Sequence, residues 1–256
     1  MKMDFERRFG GIRRLYGDAA FERFRQAHVC VVGVGGVGSW IAESLARSAV
    51  GRITLIDLDH VAESNTNRQI HALGDEYGKA KVSAMAQRIR AINPACEVTE
   101  IEDFVSEENL ENLLGCGYDF VADAIDNAKV KAAMIHWCRR RKIKLITSGG
   151  AGGRVDPAKI ALDDLSRAVQ DPLLARTRLL LRREYGFPRD PKKKFGVECV
   201  FSAEPLKKPQ DGESCDTNDP PLTGLNCAGF GAAMTVTASF GLMMTSRILR
   251  KIAAVA

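Results

Sequence analysis

The chain has 256 residues, 45% of them hydrophobic and 27% charged, with a formal net charge of +5. That length suits one large α/β domain, or one domain with a small appendage, and the apolar share supports a sizeable core. Its seven cysteines form no C-x-x-C pair, which speaks against a zinc site and against a secreted disulfide scaffold, so a reducing cytoplasm is the expected compartment.

Residues 4–26 place Phe5, Phe9, Ile12, Leu15, Phe21 and Phe24 on apolar helical faces, punctuated at Gly10-Gly11 and Gly17-Asp18. No apolar signal core precedes them. The run His28-Val29-Cys30-Val31-Val32 predicts a strand, and Gly33-Val34-Gly35-Gly36-Val37-Gly38 a tight turn into a helix reaching about Ala49. Arg52 to Asp57 predicts the second strand. A polar stretch from Asp59 to Gly78 leads to a helix over 79–92, stopped by Asn93-Pro94. Glu97 to Ile101, Tyr118 to Ala122 and Lys144 to Thr147 predict three more strands, with a short helix capped around Ser106 to Asn109 and a longer one over 128–141 between them. Strands that alternate with helices imply a doubly wound, mostly parallel, Rossmann-like α/β sheet, with its crevice at the carboxyl ends of the strands.

After Gly149-Gly150-Ala151-Gly152-Gly153 the pattern shortens. Arg154-Val155 and Lys159 to Leu162 predict short strands, Asp171 to Tyr185 a basic helix, Pro188 to Phe195 a lysine-rich loop and Val197 to Ser202 a further strand. Residues 207–221 read as a loop rich in Pro, Gly, Asp and Asn. The apolar stretch 227–249 has the length of a membrane span, but its three glycines, hydroxyl residues and arginine favour a helix buried against the sheet. The organisation expected is a single domain over 1–256, with a nucleotide-binding core at 28–150 and a substrate-facing extension at 151–256 that completes the sheet.

The glycine turn exposes backbone N–H groups at a helix N-terminus, where phosphate binds well. Asp57 ends the next strand about twenty residues on, the spacing of a carboxylate that grips ribose hydroxyls. The plainer reading is a tight turn with no ligand, but a further set of residues has no reason to recur together in an ordinary dinucleotide dehydrogenase: Asp59, Asn65, Arg68 and Gln69 in Asp57-Leu58-Asp59-His60-Val61-Ala62-Glu63-Ser64-Asn65-Thr66-Asn67-Arg68-Gln69, then Lys81, then Asp126-Asn127. The series G-x-G-G-x-G, D-x-D, S-N-x-x-R-Q, a lysine and D-N resembles the adenylating family of ubiquitin-activating enzymes and the bacterial molybdopterin-synthase and thiamine-biosynthesis adenylyltransferases, over roughly residues 8–150.

That resemblance implies ATP and magnesium. Gly33, Gly35, Gly36 and Gly38 would supply donors, Asp57 would hold ribose, and Asn65, Gln69 and Asn127 would contact the nucleotide. Arg68 and Lys81 would neutralise phosphate charge, while Asp59 and Asp126 would hold the metal. Each also has a plainer reading: Arg68 as a loop charge, Lys81 as an exposed helix residue, Asp59 as a ligand of loop backbone and Asp126 as a helix cap. In this family an N-terminal arginine often enters the partner's ATP site, so a homodimer is implied, with Arg8, Arg13 and Arg14 as candidates.

With no paired C-x-x-C and no catalytic-cysteine domain, the chain is most similar, over nearly its whole length, to the tRNA threonylcarbamoyladenosine dehydratases. The resemblance is carried by Arg7-Arg8-Phe9-Gly10-Gly11, Asn65 to Leu73, Thr147 to Gly153, Gly196 to Ser202 and Cys227 to Ala233. It implies adenylation and cyclising dehydration of a threonylcarbamoyl-adenosine beside a tRNA anticodon, and a possible cysteine desulfurase and sulfur-acceptor protein as partners. Alternatives are adenylation of a small sulfur carrier's C-terminus, a non-catalytic nucleotide-binding partner of a sulfur-transfer system, and an NAD-dependent oxidoreductase. The basic segment from Arg176 to Lys194 suits RNA phosphates, with Tyr185, Phe187 or Phe195 to stack on bases, or is a solvated face. Cys227 is a candidate thiol or a packed helix start, Cys199 a structural strand residue, and His71 a phosphate contact or a loop packing residue.

Overall fold

A computed structural model describes residues 4–207 and 230–254. Two short helices, α1 (Phe5–Tyr16) and α2 (Asp18–Gln26), lead into β1 (His28–Val32). There follow α3 (Gly38–Arg47), β2 (Arg52–Ile56), α4 (Lys81–Ile92), β3 (Glu97–Ile101), α5 (Leu110–Leu114), β4 (Phe120–Asp123), α6 (Ala128–Arg140) and β5 (Leu145–Ser148). The last third adds β6 (Ile160–Asp164), α7 (Pro172–Glu184), β7 (Glu198–Ser202) and α8 (Met234–Ala253).

The seven strands form one sheet in the order β3-β2-β1-β4-β5-β7-β6. Every pairing is parallel except β6 with β7, where Leu162 faces Val200. The doubly wound, mostly parallel sheet is thus as the alternation implies. The order reverses between β1 and β4, which are hydrogen-bonded neighbours with Val31 opposite Ala122. Such a switch point opens a crevice above the strand ends.

Strand alternation explains the two packed faces. Val29 and Val31 join α2, α3, α4 and α8 in one core, and Cys30 and Val32 join α5 and α6 in another. A third cluster seats α7 on α6 and β7. Burial pushes the Cys30, Cys138 and Cys199 thiols up, as suits structural cysteines.

The sequence reading differs from the fold in two places. Arg154-Val155 is not a strand: Gly153 takes a positive φ of 69° and Asp156 caps a 3-10 turn at Pro157–Lys159, so the chain bends where extension was expected. The apolar C-terminal helix begins at Met234, and Cys227 to Gly229 lie outside the described residues. The helix is buried against α3, β5 and β7, and among the described residues no helix is long and apolar enough to cross a membrane. Gly241 permits that packing: a Cβ there would sit 2.7 Å from the Val37 carbonyl oxygen and 2.9 Å from the Trp40 Cβ.

Candidate active site

The β1–α3 turn is shaped by Gly33, whose φ is +84° and whose absent Cβ leaves room for the Ala124 backbone 3.0 Å away. The turn is fastened from the next strand. Asp57 accepts hydrogen bonds from the Val34 amide at 2.6 Å and from the Asp59 amide at 2.9 Å. Burial raises the Asp57 pKa, and nearby Lys81 and those two amides partly offset the rise.

Beyond β2 the chain forms a compact 3-10 turn at Glu63–Asn65. The Asn65 side chain is buried and accepts from the Ala62 amide, so it holds the turn. Arg68 donates to the Ser64 carbonyl at 2.7 Å and to the Asn67 side-chain oxygen at 2.8 Å, and burial lowers its pKa. Its carbonyl accepts from the Trp40 indole, and its side-chain stem lies beside Gly36. Asn67 ties the same turn to the C-terminal segment through the Ala232 carbonyl and its own carbonyl, which accepts from the Met234 amide.

Lys81 starts α4 and is 6% exposed, unlike most lysines. Its ammonium donates to Asp59 at 2.7 Å, and its amide donates to the Asp59 carbonyl. Asp126 is exposed in the turn after β4. The capping role falls to its neighbour Asn127, whose side chain accepts from the Lys129 and Val130 amides. A buried network lies beneath that turn. The Lys131 ammonium donates to Asp123 at 2.8 Å and to Thr147 at 2.9 Å, with all three residues 0% exposed. The second Asp123 oxygen accepts from the Ile125 amide. On the far side, Asp171 caps α7 through the Leu174 amide and holds the Gly150 amide at 2.9 Å.

These elements enclose a cavity of about 590 Å³ whose wall includes Gly33, Gly35, Gly36, Asp57, Asp59, Arg68, Gln69, Lys81, Asp126 and Asn127. That volume is in the range of small-ligand sites. Ten of the twelve residues singled out in the sequence therefore meet in one space. Gly38 and Asn65 stand off the wall: Gly38 packs on the Gly33 carbonyl and Asn65 braces its turn. Sequence reasoning missed the apolar rim of Leu58 and Phe104, the latter 61% exposed, and the contributions of Gly149 to Gly152, Leu173 and Thr237. Phe104 carried no motif, and Thr237 arrives from the opposite end of the chain.

Other candidates lie elsewhere. His71 is 2% exposed with no partner for either ring nitrogen, so it belongs to loop packing. Phe187 and Phe195 are buried against each other, with Arg139 and Arg182 over their rings, and they cannot stack on a base. Tyr185 lies against His136. Arg8 binds the last carbonyls of α4, Arg13 pairs with Glu6 and Asp18, and Arg14 is exposed.

The ThiF family model matches residues 10–255. The chain is 52% identical over 255 residues to the Escherichia coli tRNA threonylcarbamoyladenosine dehydratase, covering 98% of this chain and 95% of that one. It is 50% identical over 250 residues to the Haemophilus influenzae protein of the same name, covering 97% and 94%. Its fold superposes on the E. coli dehydratase in complex with ATP with a TM-score of 0.88 at 50% identity, covering 98% of this chain and 95% of that one. The complex with AMP gives a TM-score of 0.89 with the same identity and coverage. The glycine turn, the acids after β2 and β4 and the two cations over one crevice accord with these matches, and the chain belongs to the ThiF family.

Proposed function

We infer that this protein is an ATP-dependent tRNA threonylcarbamoyladenosine dehydratase. One observation carries the reading: Asp57, Arg68, Gln69, Lys81, Asp126 and the glycine turn line a single cavity, and relatives at about half identity bear that name, one of them solved with ATP.

The chemistry follows from those side chains. Asp57 would hold the ribose of ATP and the glycine amides its phosphates, with Leu58 and Phe104 offering an apolar rim for the base. Arg68 and Lys81 stabilise the charge that grows on the phosphates when the threonyl carboxylate attacks the α-phosphorus and pyrophosphate leaves. The substrate's own carbamoyl group then attacks the acyl carbon. AMP departs with the carboxylate oxygen, a ring closes, and the carbamoyl proton is released. The net change is loss of one water with conversion of ATP to AMP and pyrophosphate. No enzyme nucleophile is needed.

Magnesium fits the donor set. It takes one or two carboxylates and the substrate's phosphates; Asp126 is exposed at the wall, and Asp59 is shared with Lys81. The ion would hold phosphate oxygens and neutralise them. A homodimer would draw on Arg14, since Arg8 and Arg13 have partners within their own chain. A cytoplasmic setting suits a tRNA substrate, and a cysteine desulfurase with its sulfur acceptor remains a candidate partner through family resemblance alone.

The test is mass analysis of nucleosides from threonylcarbamoyl-modified tRNA incubated with the protein and ATP. The expected result is a nucleoside lighter by one water, with AMP formed alongside. AMP formation that requires a carrier protein ending in Gly-Gly, with the tRNA unchanged, overturns the reading.

A further inference from the structure

The end of the sheet opposite the cavity carries a concentration of charge that the reaction does not use. Two basic runs far apart in sequence meet there. Arg139, Arg140, Lys142 and Lys144 end α6 and lead into β5, and Lys192, Lys193 and Lys194 precede β7; all seven are exposed. The Arg139 guanidinium donates to the Phe195 carbonyl and joins the two runs. Between them lies a cavity of about 600 Å³ with Lys142, Lys144 and Lys194 on its wall and Phe120, Ile143 and Leu145 within it. The acids at this edge are largely committed. Asp164 accepts from the Phe195, Gly196 and Val197 amides, and Glu198 is held by Arg247 and Lys251. Against the seven cations stand Asp163, Asp164 and Asp190, while Glu198 is matched by Arg247 and Lys251, so positive charge predominates along this edge.

Cations at the last turn of α6 complement the helix dipole, which accounts for Arg139 and Arg140. It does not account for Lys142 and Lys144, which lie beyond the helix, or for the three lysines of the second run. Helix α7 links this edge to the reaction site. Its first turn is bonded to Gly150 on the ATP cavity through Asp171, and its far end bears Arg182, which donates to the Pro188 carbonyl in the lysine-rich loop. Thirteen residues of helix span about 20 Å. Arg176 and Arg183 are exposed along the way.

We propose that this basic edge is a docking surface for the tRNA phosphodiester backbone, holding phosphates about 20 Å from the reacting nucleoside. The proposal rests on the tRNA reading above and says where the rest of that RNA lies. Lysines give point charges without base readout, so the contact is indifferent to sequence and sensitive to salt.

The test is the variant Lys142→Ala/Lys144→Ala/Lys194→Ala, whose three sites are exposed and outside the ATP cavity. Binding of modified tRNA is titrated from low to high salt, and turnover is measured separately. The slope of log affinity against log salt should shrink by about 2–3, the share of three lost phosphate contacts. The KM for tRNA should rise about tenfold or more, with kcat at saturating tRNA and ATP affinity unchanged. A slope and KM equal to the parent's overturn the proposal and point to an acidic protein as the occupant. Because binding is read apart from turnover, a parent that binds tRNA without cyclising it overturns the reaction and leaves the surface standing. A parent that cyclises tRNA beside a variant with an unchanged slope overturns the surface alone.

Discussion

Lys131 gives the sharpest test of how the site is held. Replacing it with Met keeps the length of the side chain and removes the charge. Asp123 is 0% exposed and would retain only the Thr147 hydroxyl and the Ile125 amide. A carboxylate stripped of its cation in the interior costs about 3–5 kcal/mol. For a chain of this length, each kcal/mol moves Tm by about 2–4 °C, so Lys131→Met should lower it by roughly 6–20 °C. The double variant Asp123→Asn/Lys131→Met removes both charges and keeps an acceptor for Thr147. Its expected cost is within about 2 kcal/mol of the parent, because a neutral pair escapes the desolvation that the lone carboxylate suffers. Thermal unfolding of parent, single and double variants at neutral pH supplies the comparison. A single variant costing less than about 1 kcal/mol, or a double variant costing the sum of its two singles, refutes the reasoning.

The glycine turn offers a matched pair. In Gly38→Ala the new Cβ would lie 1.7 Å from the Gly33 carbonyl oxygen, whereas at Gly35 the nearest atom is the Gln69 amide nitrogen at 3.9 Å. Gly38→Ala should cost more than about 3 kcal/mol or fail to fold; Gly35→Ala should keep the parent Tm and weaken ATP binding, read by calorimetry. Arg68→Ala and Lys81→Ala should each slow AMP release by about 10²–10³ with the fold intact, the usual effect of removing a donor aimed at developing charge. Wild-type rates in either variant would remove it from the site.

His71 has its pKa pushed down to about 4 by burial first and then by Lys81 and Arg88. The unfolded chain therefore takes up a proton that the folded chain refuses. Stability is full above about pH 6.5 and falls toward pH 4, by on the order of 3 kcal/mol. His71→Leu should flatten Tm across that window, and an unchanged slope would mean the ring is not the titrating group.

The sheet was legible because its signals are local. The continuous apolar run Val29 to Val32 and the glycines that directly follow β1 and β5 mark elements without reference to distant residues. The cavity wall was legible for the same reason: Asp57, Arg68, Gln69 and Lys81 follow one another on a short stretch of chain. What escaped was made by folding. Lys131, Asp123 and Thr147 come from α6, β4 and β5 and share no spacing rule. Asn65 has the composition of a ligand residue and the geometry of a brace. Phe187 and Phe195 looked available to RNA because aromatic content gives no hint of burial. Half of the basic edge was legible in the segment Arg176 to Lys194, but the run 139–144 escaped because it resembled an ordinary helix end until the fold set Lys194 beside it.

The strand order has a consequence for synthesis. β6 reaches the sheet only through β7, yet it leaves the ribosome first, and residues 165–197 separate the two. Until β7 slots in beside β5, β6 has no backbone partner and the sheet ends in an open edge. A nascent chain that ends between them exposes the unpaired margin of β5, open to pairing with another chain until β7 covers it.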